Sequence, residues 1–198
     1  MIQGSVLVNR LTFFGQFWRS PRTVGAVLPS SRALSVAMVN AIDFGSLRTI
    51  VEFGPGTGVM TADIAARLGP TQNYIGIELN DVFYNQLVQR FPRLEFFNES
   101  AVNLTDILRR QGITEIDAVL CGLPWASLPI GEQESILGAM LRALRPGGVF
   151  VTFAYLQGLL LPGAWALRRR LKANFSAVTT TNIVWGNFPP AFAYVCRR

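Results

Sequence analysis

A glycine-rich run constrains this chain more than any other feature of its sequence. It lies between an apolar stretch and a helical pattern, and it consists of Glu52, Phe53, Gly54, Pro55, Gly56, Thr57 and Gly58. Glycines let the backbone adopt positive φ angles and approach a ligand, and a strand–turn–helix unit binds polar ligands at the helix amino terminus. A dinucleotide fingerprint would have a third glycine where Val59 stands, and a Walker loop would have Lys-Ser or Lys-Thr after its last glycine. The run therefore predicts a ligand-binding turn of another class.

Strand-like and helical patterns alternate along the chain. Short apolar runs predict five strands at residues 49–53, 73–78, 94–98, 116–121 and 148–155. Periodic apolar patterns predict helices between them at 59–68, 81–91, 103–111 and 131–144. This alternation indicates a parallel sheet that is covered by helices on both faces.

The end of the chain departs from this alternation. After a helical pattern at 159–173, two strand-like stretches at 177–185 and 191–196 are separated only by Gly186 to Pro190. So short a link has no room for a crossover helix, and it predicts an antiparallel pair. We therefore expect an α/β, Rossmann-like fold with a seven-stranded, mostly parallel sheet and a carboxyl-terminal antiparallel hairpin. Residues 29–198 would form this domain, and residues 1–28 an amino-terminal amphipathic segment.

Acidic and polar residues follow the second and third predicted strands. Glu78 ends the second strand about 20 residues after the glycine run, where a carboxylate can accept hydrogen bonds from both hydroxyls of a ribose. Glu99, Ser100 and Ala101 follow the third strand and offer contacts for an adenine base. The alternative is that the glycines only form a tight turn and that Glu78 is a solvated strand end.

Composition excludes several classes of site. The chain contains no histidine, which removes histidine bases and histidine metal ligands, and Cys121 and Cys196 lack the spacing of a zinc site or a disulfide framework. No metal is therefore expected. Half of the residues are hydrophobic, yet no apolar run reaches the roughly 18 residues that span a bilayer. With a net charge of +6 and no secretory signal, we expect a cytoplasmic, soluble or peripheral protein that is attracted to anionic partners.

The glycine run and the strand order resemble class I S-adenosylmethionine (SAM)-dependent methyltransferases. Three further segments resemble one family in that class, the bacterial phospholipid N-methyltransferases. They are residues 20–32, which include Pro29-Ser30-Ser31; Gly122-Leu123-Pro124-Trp125; and Asn187-Phe188-Pro189-Pro190-Ala191-Phe192. Together with the glycine run, these segments are distributed over nearly the whole length of the chain.

The resemblance implies that SAM is the cofactor, with S-adenosylhomocysteine (SAH) as product. The expected cofactor-binding residues are Glu52, Gly54, Pro55, Gly56, Thr57, Gly58, Glu78, Leu79, Ser100, Ala101, Cys121 and Gly122. Glu52 would face the ammonium of the SAM methionine moiety. Ser100 stands where many relatives have the aspartate that holds the adenine amino group, which puts that contact in doubt.

The family methylates the amine of phosphatidylethanolamine toward phosphatidylcholine, and this amine must be unprotonated to attack. Backbone carbonyls of the Gly122–Trp125 turn would orient the amine, and Trp125 would face a developing cation. The expected catalytic residues are Gly122, Leu123, Trp125 and Tyr194, and the expected substrate-binding residues are Pro29, Ser30, Ser31, Trp125, Tyr155 and Asn187. The alternatives are a rigid turn with a packed tryptophan, core tyrosines and a serine that caps a helix.

Residues 6–18 fit an amphipathic helix that lies in a membrane interface. The expected membrane-binding residues are Phe13, Phe14, Phe17, Trp18, Arg19 and Arg22. A second candidate is the leucine-rich stretch 156–167, which is followed by the basic residues Arg168, Arg169, Arg170 and Lys172. In both cases the alternative is a helix that packs on its own domain.

The sequence therefore predicts a peripheral enzyme on the inner face of the cytoplasmic membrane, with phospholipid and the anionic membrane surface as partners and no nucleic acid. Three rivals stay open. One is an RNA adenine N6-methyltransferase, because those enzymes carry a similar Asn-Leu-Pro-Tyr turn. The others are a methyltransferase acting on small-molecule or protein amines and a SAM- or lipid-binding module without catalysis.

Overall fold

The computed structural model describes residues 31–125, 128–160 and 162–198. These residues form a seven-stranded sheet in the order β3-β2-β1-β4-β5-β7-β6. The strands are β1 (Thr49–Phe53), β2 (Asn73–Ile77), β3 (Glu95–Phe97), β4 (Ile116–Cys121), β5 (Leu144–Tyr155), β6 (Ala177–Thr180) and β7 (Ala191–Arg197). The first five strands are parallel to one another, and β7 is antiparallel to both β5 and β6.

Six helices cover the two faces of this sheet within the described residues. They are α1 (Arg32–Val39), α2 (Val59–Ala65), α3 (Asp81–Arg90), α4 (Leu104–Arg110), α5 (Ile130–Ala143) and α6 (Pro162–Asn174). Buried side chains of α1, α2 and α3 share one core cluster, and those of α4, α5 and α6 share another. Because both faces are covered, every residue of β1 and β4 is buried; both strands are mainly apolar, with the buried carboxyl groups of Glu52 and Asp117 among the apolar residues.

The predicted fold class is confirmed, and the differences lie in element ends. Strand β6 stops at Thr180, whereas the sequence predicts a strand through residue 185. The hydroxyl of Thr181 accepts the amide of Ala193 at 2.9 Å, so a side chain replaces a rung of the backbone ladder and the strand breaks there. Strand β5 begins at Leu144, four residues before the start that the sequence predicts at residue 148. A shift in its register with β4, between Ile116 and Ala118, accommodates the additional residues.

The expected amino-terminal helix lies outside the described residues, as does the boundary between residues 28 and 29. In the described part of the chain, every helix is too short or too polar to cross a bilayer.

Candidate functional site

The turns that follow β1, β2 and β4 lie side by side at the carboxyl edge of the sheet. The parallel ladder continues one residue past these strands: Gly54 donates to the Ile77 carbonyl at 2.9 Å, and Gly122 donates to the Phe53 carbonyl at 2.7 Å. Ligands bind at this edge of open α/β sheets. The ladder therefore brings together three segments that are far apart in the sequence.

The glycine turn has the backbone that only glycine adopts freely. Gly54, Gly56 and Gly58 have φ angles of +65°, +57° and +78°. The turn after β4 presses directly on it, because a Cβ on Gly122 would lie 2.7 Å from the Gly54 carbonyl oxygen. Glycine at both positions keeps these two backbones in contact and leaves no side chain between them.

Glu78 holds the glycine turn from the end of β2. Its side chain is only 1% exposed; Oε2 accepts the Gly56 amide at 2.9 Å, and Oε1 accepts the Asn80 amide at 2.8 Å. Burial raises the pKa of this carboxyl group. Each oxygen keeps a further lone pair, so the group can still accept hydrogen bonds from ribose hydroxyls.

A cleft opens beside Glu78. Its lining consists of Gly54, Ile77, Glu78, Leu79, Glu99, Ser100, Ala101, Leu123, Glu132 and Ile136. Five of the expected cofactor-binding residues and Leu123 are therefore brought together here. Within the described residues the lining includes three carboxylates, of which Glu99 is paired with Arg110, and no Arg or Lys, so the cleft favours a ligand that carries positive charge.

Glu132 is a cleft residue that the sequence reasoning missed. It lies in the first turn of α5, and burial raises the pKa of its carboxyl group. Within the described residues its carboxylate has no hydrogen-bond partner, whereas the carboxylate of Glu99 accepts hydrogen bonds from Asn103 and Arg110. An acidic residue at the start of the helix after the Gly-Leu-Pro-Trp turn was the available signal.

Ser100 uses its hydroxyl within the chain. It accepts the Val102 amide at 3.3 Å and caps the short helix Ala101–Asn103. The side chain lines the cleft, and its hydroxyl keeps one donor and one lone pair for a ligand.

Glu52 is fully buried on the sheet face that α1, α2 and α3 cover. Its Oε2 accepts hydrogen bonds from Thr61 at 2.8 Å and from Tyr74 at 2.5 Å, while its Oε1 has no partner in the described residues. Burial raises the pKa of this carboxyl group to about 7. An unpaired buried carboxylate oxygen beside a glycine turn fits a cationic ligand group, as the SAM ammonium would be.

The raised pKa of Glu52 predicts a dependence of stability on pH. A carboxyl group whose pKa is higher in the folded than in the unfolded state stabilises the fold when protonated, and this contribution is lost as pH rises through about 7. In urea titrations of ligand-free protein, we expect the free energy of unfolding of wild type to fall relative to Glu52→Gln by up to about 3 kcal/mol between pH 4.5 and pH 8. A difference between the two proteins that stays constant over this range would contradict the assignment.

Hydrogen bonds from side chains of α5 and α6 hold the end of the Gly122–Trp125 turn. The Gln133 side-chain amide donates to the carbonyls of Trp125 and Leu128, both at 2.8 Å, and Arg170 donates to the Gln133 oxygen at 2.6 Å. The Trp125 indole is buried and meets the Phe150 ring edge-on at 6.0 Å between centroids. The structure therefore places Trp125 in the core beneath the turn, and what the turn offers the cleft is backbone and Leu123.

Three expected site residues lie on β4, β5 and β7: Cys121 ends β4, Tyr155 ends β5, and Tyr194 lies in the middle of β7. The Cys121 side chain is enclosed in the core, and burial raises the pKa of its thiol to about 12. Tyr194 packs against Phe192, and Tyr155 is partly buried; burial raises the pKa of both hydroxyls. Both tyrosines are therefore neutral near pH 7, and they suit hydrogen bonding better than proton removal.

The Pro-Ser-Ser and Asn-Phe-Pro-Pro segments meet in the structure. The Ser31 amide donates to the buried Asn187 side chain at 2.9 Å, and Asn187 donates to the Pro189 carbonyl at 2.6 Å. The Ser31 hydroxyl caps α1 by accepting the Leu34 amide, which confirms the expected capping role. Some predicted residues lie outside the described part of the chain: Pro29, Ser30, Phe13, Phe14, Phe17, Trp18, Arg19 and Arg22.

The sequence of this chain is similar to those of known methyltransferases. A methyltransferase-domain family matches residues 50–148, which is half of the chain. The ornithine lipid N-methyltransferase of Singulisphaera acidiphila is 33% identical over 188 residues, covering 93% of this chain and 94% of that protein.

Solved structures share the fold at low sequence identity. A putative O-methyltransferase from Klebsiella pneumoniae is 15% identical with a TM-score of 0.65, over 100% of this chain and 92% of that one. The O-methyltransferase TomG from Streptomyces achromogenes, solved in complex with SAM, is 19% identical with a TM-score of 0.61, over 98% and 90% of the two chains. With the family match and the glycine turn, they show that this chain belongs to the class I SAM-dependent methyltransferases and is an enzyme that uses SAM.

Proposed function

We propose that this enzyme methylates the amine of a lipid headgroup, with phosphatidylethanolamine as acceptor, at the inner face of the cytoplasmic membrane. The observation that carries the proposal is the 33% identity, over nearly the full length of both chains, to a protein named ornithine lipid N-methyltransferase. The relative's name joins a lipid with a nitrogen acceptor. The choice of phosphatidylethanolamine rests on the three sequence segments that resemble phospholipid N-methyltransferases.

The charge of the cleft supports an acceptor that arrives as a cation. Among the described residues three carboxylates and no Arg or Lys line it; Glu99 is paired with Arg110, and Glu132 has no hydrogen-bond partner there. An ammonium group is attracted to such a cleft, whereas the adenine amino group of the RNA alternative carries no charge. This favours a lipid amine over the RNA alternative.

The residues of the chain must orient the amine, and a group in the site must remove the proton of the ammonium. SAM supplies a methyl group on sulfur with a good thioether leaving group, so positioning gives much of the rate acceleration. A primary ammonium has a pKa near that of lysine and must be deprotonated before it attacks. The described backbone gives no hydrogen bond to the carbonyls of Gly122 and Pro124, which can therefore accept the N–H groups of the amine and orient its lone pair.

Proton removal falls to a carboxylate or to water. The chain has no histidine, and Tyr155 and Tyr194 are neutral at pH 7, because burial raises the pKa of each hydroxyl above its ordinary value near 10. Glu132 lines the cleft with free oxygens and a raised pKa, so it can attract the ammonium and take part in proton transfer.

The test incubates the protein with methyl-labelled SAM and three acceptors in parallel. These are vesicles containing phosphatidylethanolamine, vesicles containing ornithine lipid, and total RNA. We expect label in phosphatidylethanolamine, with chromatography showing methylated headgroups. Label in ornithine lipid alone would replace the acceptor but keep lipid N-methylation, and label in RNA alone would overturn the proposal.

A further inference from the structure

Two large aromatic side chains project into solvent from the loop between β6 and β7. Trp185 is 70% exposed and Phe188 is 80% exposed. We call this pair the aromatic tip. Exposed apolar patches on a protein surface mark sites of interaction with proteins, membranes or ligands.

The aromatic tip lies at the same edge of the sheet as the cleft. Strand β7 begins at Ala191 opposite Tyr155, the last residue of β5, and the Leu156 amide donates to the Pro190 carbonyl at 2.8 Å. In the sheet order, β7 is two strands from β4, whose carboxyl end carries the Gly-Leu-Pro-Trp turn. Adjacent strands are about 4.8 Å apart, so roughly 10 Å of sheet separates the two elements.

The loop that carries the tip is held by hydrogen bonds. Val184 donates to the Ala191 carbonyl at 2.7 Å, and the Asn187 amide donates to the Val184 carbonyl at 3.2 Å. The Asn187 side chain is buried and joins Ser31 to Pro189. Because Asn187 is anchored between the two aromatic residues, the loop presents both of them from a fixed base.

Charge is divided between the two halves of the sheet. All Asp and Glu residues of the chain lie between Asp43 and Glu134, a stretch that includes β1 to β4. Residues 135–198, which include β5, β6, β7 and the aromatic tip, carry eight Arg or Lys and no acidic residue. Five of these eight cations lie at the opposite edge of the sheet, where β5 and β6 begin and β7 ends. Closer to the tip, exposed Arg32 follows Ser31, whose amide bonds to Asn187 of the loop, and Arg168 interacts electrostatically with Tyr194 of β7. These two cations make the surface around the tip complementary to an anionic surface.

The geometry points to the aromatic tip as a docking element for an anionic lipid bilayer, with Trp185 and Phe188 in the headgroup region. Aromatic side chains favour that region, and basic residues are attracted to acidic headgroups. Docking on this loop turns the carboxyl edge of the sheet, and so the cleft, toward the lipid. The inference rests on the proposed function, because docking on a bilayer brings the cleft to a lipid substrate. It concerns binding to vesicles, which is measured without methyl transfer.

The first test is sedimentation with vesicles of phosphatidylcholine and phosphatidylglycerol, using the full chain without SAM. We expect the double variant Trp185→Ser/Phe188→Ser to lower the partition coefficient at least tenfold, and added salt to weaken wild-type binding. The matched control is Val82→Ser/Val88→Ser, which changes two exposed apolar residues of α3 in the acidic half and should leave binding within twofold. Equal binding by wild type and the tip variant would overturn the inference.

A conservative variant covers the case in which the double variant misfolds. Trp185→Phe keeps an aromatic ring at the tip, and we expect its tryptophan fluorescence to be quenched less by brominated phosphatidylcholine than that of wild type. Equal quenching would place Trp185 away from the lipid and contradict the docking role. Two other outcomes would also contradict the docking role, because each would assign the loop another partner. In one, a tip variant loses binding to RNA and keeps binding to vesicles. In the other, a tip variant changes only the proteolysis of residues 1–30, which increases.

The two proposals fail separately. If the tip variant loses vesicle binding but methylates a short-chain, monomeric phosphatidylethanolamine as fast as wild type, both stand. If wild type methylates no lipid while its vesicle binding still depends on the tip, the proposed substrate fails and the docking element remains.

Discussion

Replacing Gly122 by alanine is expected to abolish tight SAH binding while the protein stays folded. The new Cβ would lie 2.7 Å from the Gly54 carbonyl oxygen, which is backbone and cannot rotate away. Such overpacking costs about 1–3 kcal/mol, and relieving it separates the two turns that shape the cleft. We expect the SAH dissociation constant to rise at least thirtyfold by calorimetry, and the melting temperature to fall by roughly 2–10 °C.

The control for this variant is Gly131→Ala. Gly131 is exposed in the first turn of α5, and a Cβ there would meet no atom within 4 Å. This variant should bind SAH as wild type does and melt at the same or a slightly higher temperature, because alanine favours a helix. If Gly122→Ala binds SAH as tightly as Gly131→Ala, the two turns do not shape the cofactor site.

Replacing Glu78 by alanine is expected to weaken SAH binding at least a hundredfold. The change removes the proposed acceptor for the ribose hydroxyls, and it leaves the amides of Gly56 and Asn80 without their partner. Hydrogen bonds to a charged group contribute about 1.5–3 kcal/mol each, and a tenfold change in affinity corresponds to about 1.4 kcal/mol. Titration of SAH into each protein measures the effect directly.

Glu99→Ala separates this role from the general negative charge of the cleft. Glu99 lines the same cleft, but its carboxylate bonds to Asn103 and to the exposed Arg110, and such surface pairs contribute little. We expect a change of less than threefold in SAH affinity. Similar losses for the two variants would show that Glu78 acts through charge alone and would remove its assignment as the ribose ligand.

The sequence was sufficient to predict the fold because its local patterns agree with one another. Strands β1 and β4 are buried on both faces and appear as mainly apolar runs, so their bounds are predicted to the residue. The end of β6 was predicted five residues too late, because the hydrogen bond that the Thr181 hydroxyl accepts from the Ala193 amide cannot be read from apolar periodicity.

The sequence predicts those residues of the site whose positions follow from spacing along the chain. It does not predict those whose positions depend on how helices pack on the sheet. The glycine turn and Glu78 follow from spacing along the chain. Glu132 could not be placed, because its position in the cleft depends on how α5 packs on the sheet. Trp125 was expected to face a developing cation and lies in the core, because Gln133 of α5 fixes the carbonyls of Trp125 and Leu128.

The hydrogen bond between Ser31 and Asn187 joins residues that are 156 positions apart. A ribosome synthesises the chain from its amino terminus. The Ser31 amide at the start of α1 therefore has no Asn187 partner until nearly all of the protein has been made. Residues 1–30 are therefore attached to a helix whose entry is fixed only when the β6–β7 loop closes on it. A stop codon before that loop would leave the Ser31 amide without this partner and would also remove β7, the strand that joins β5 to β6.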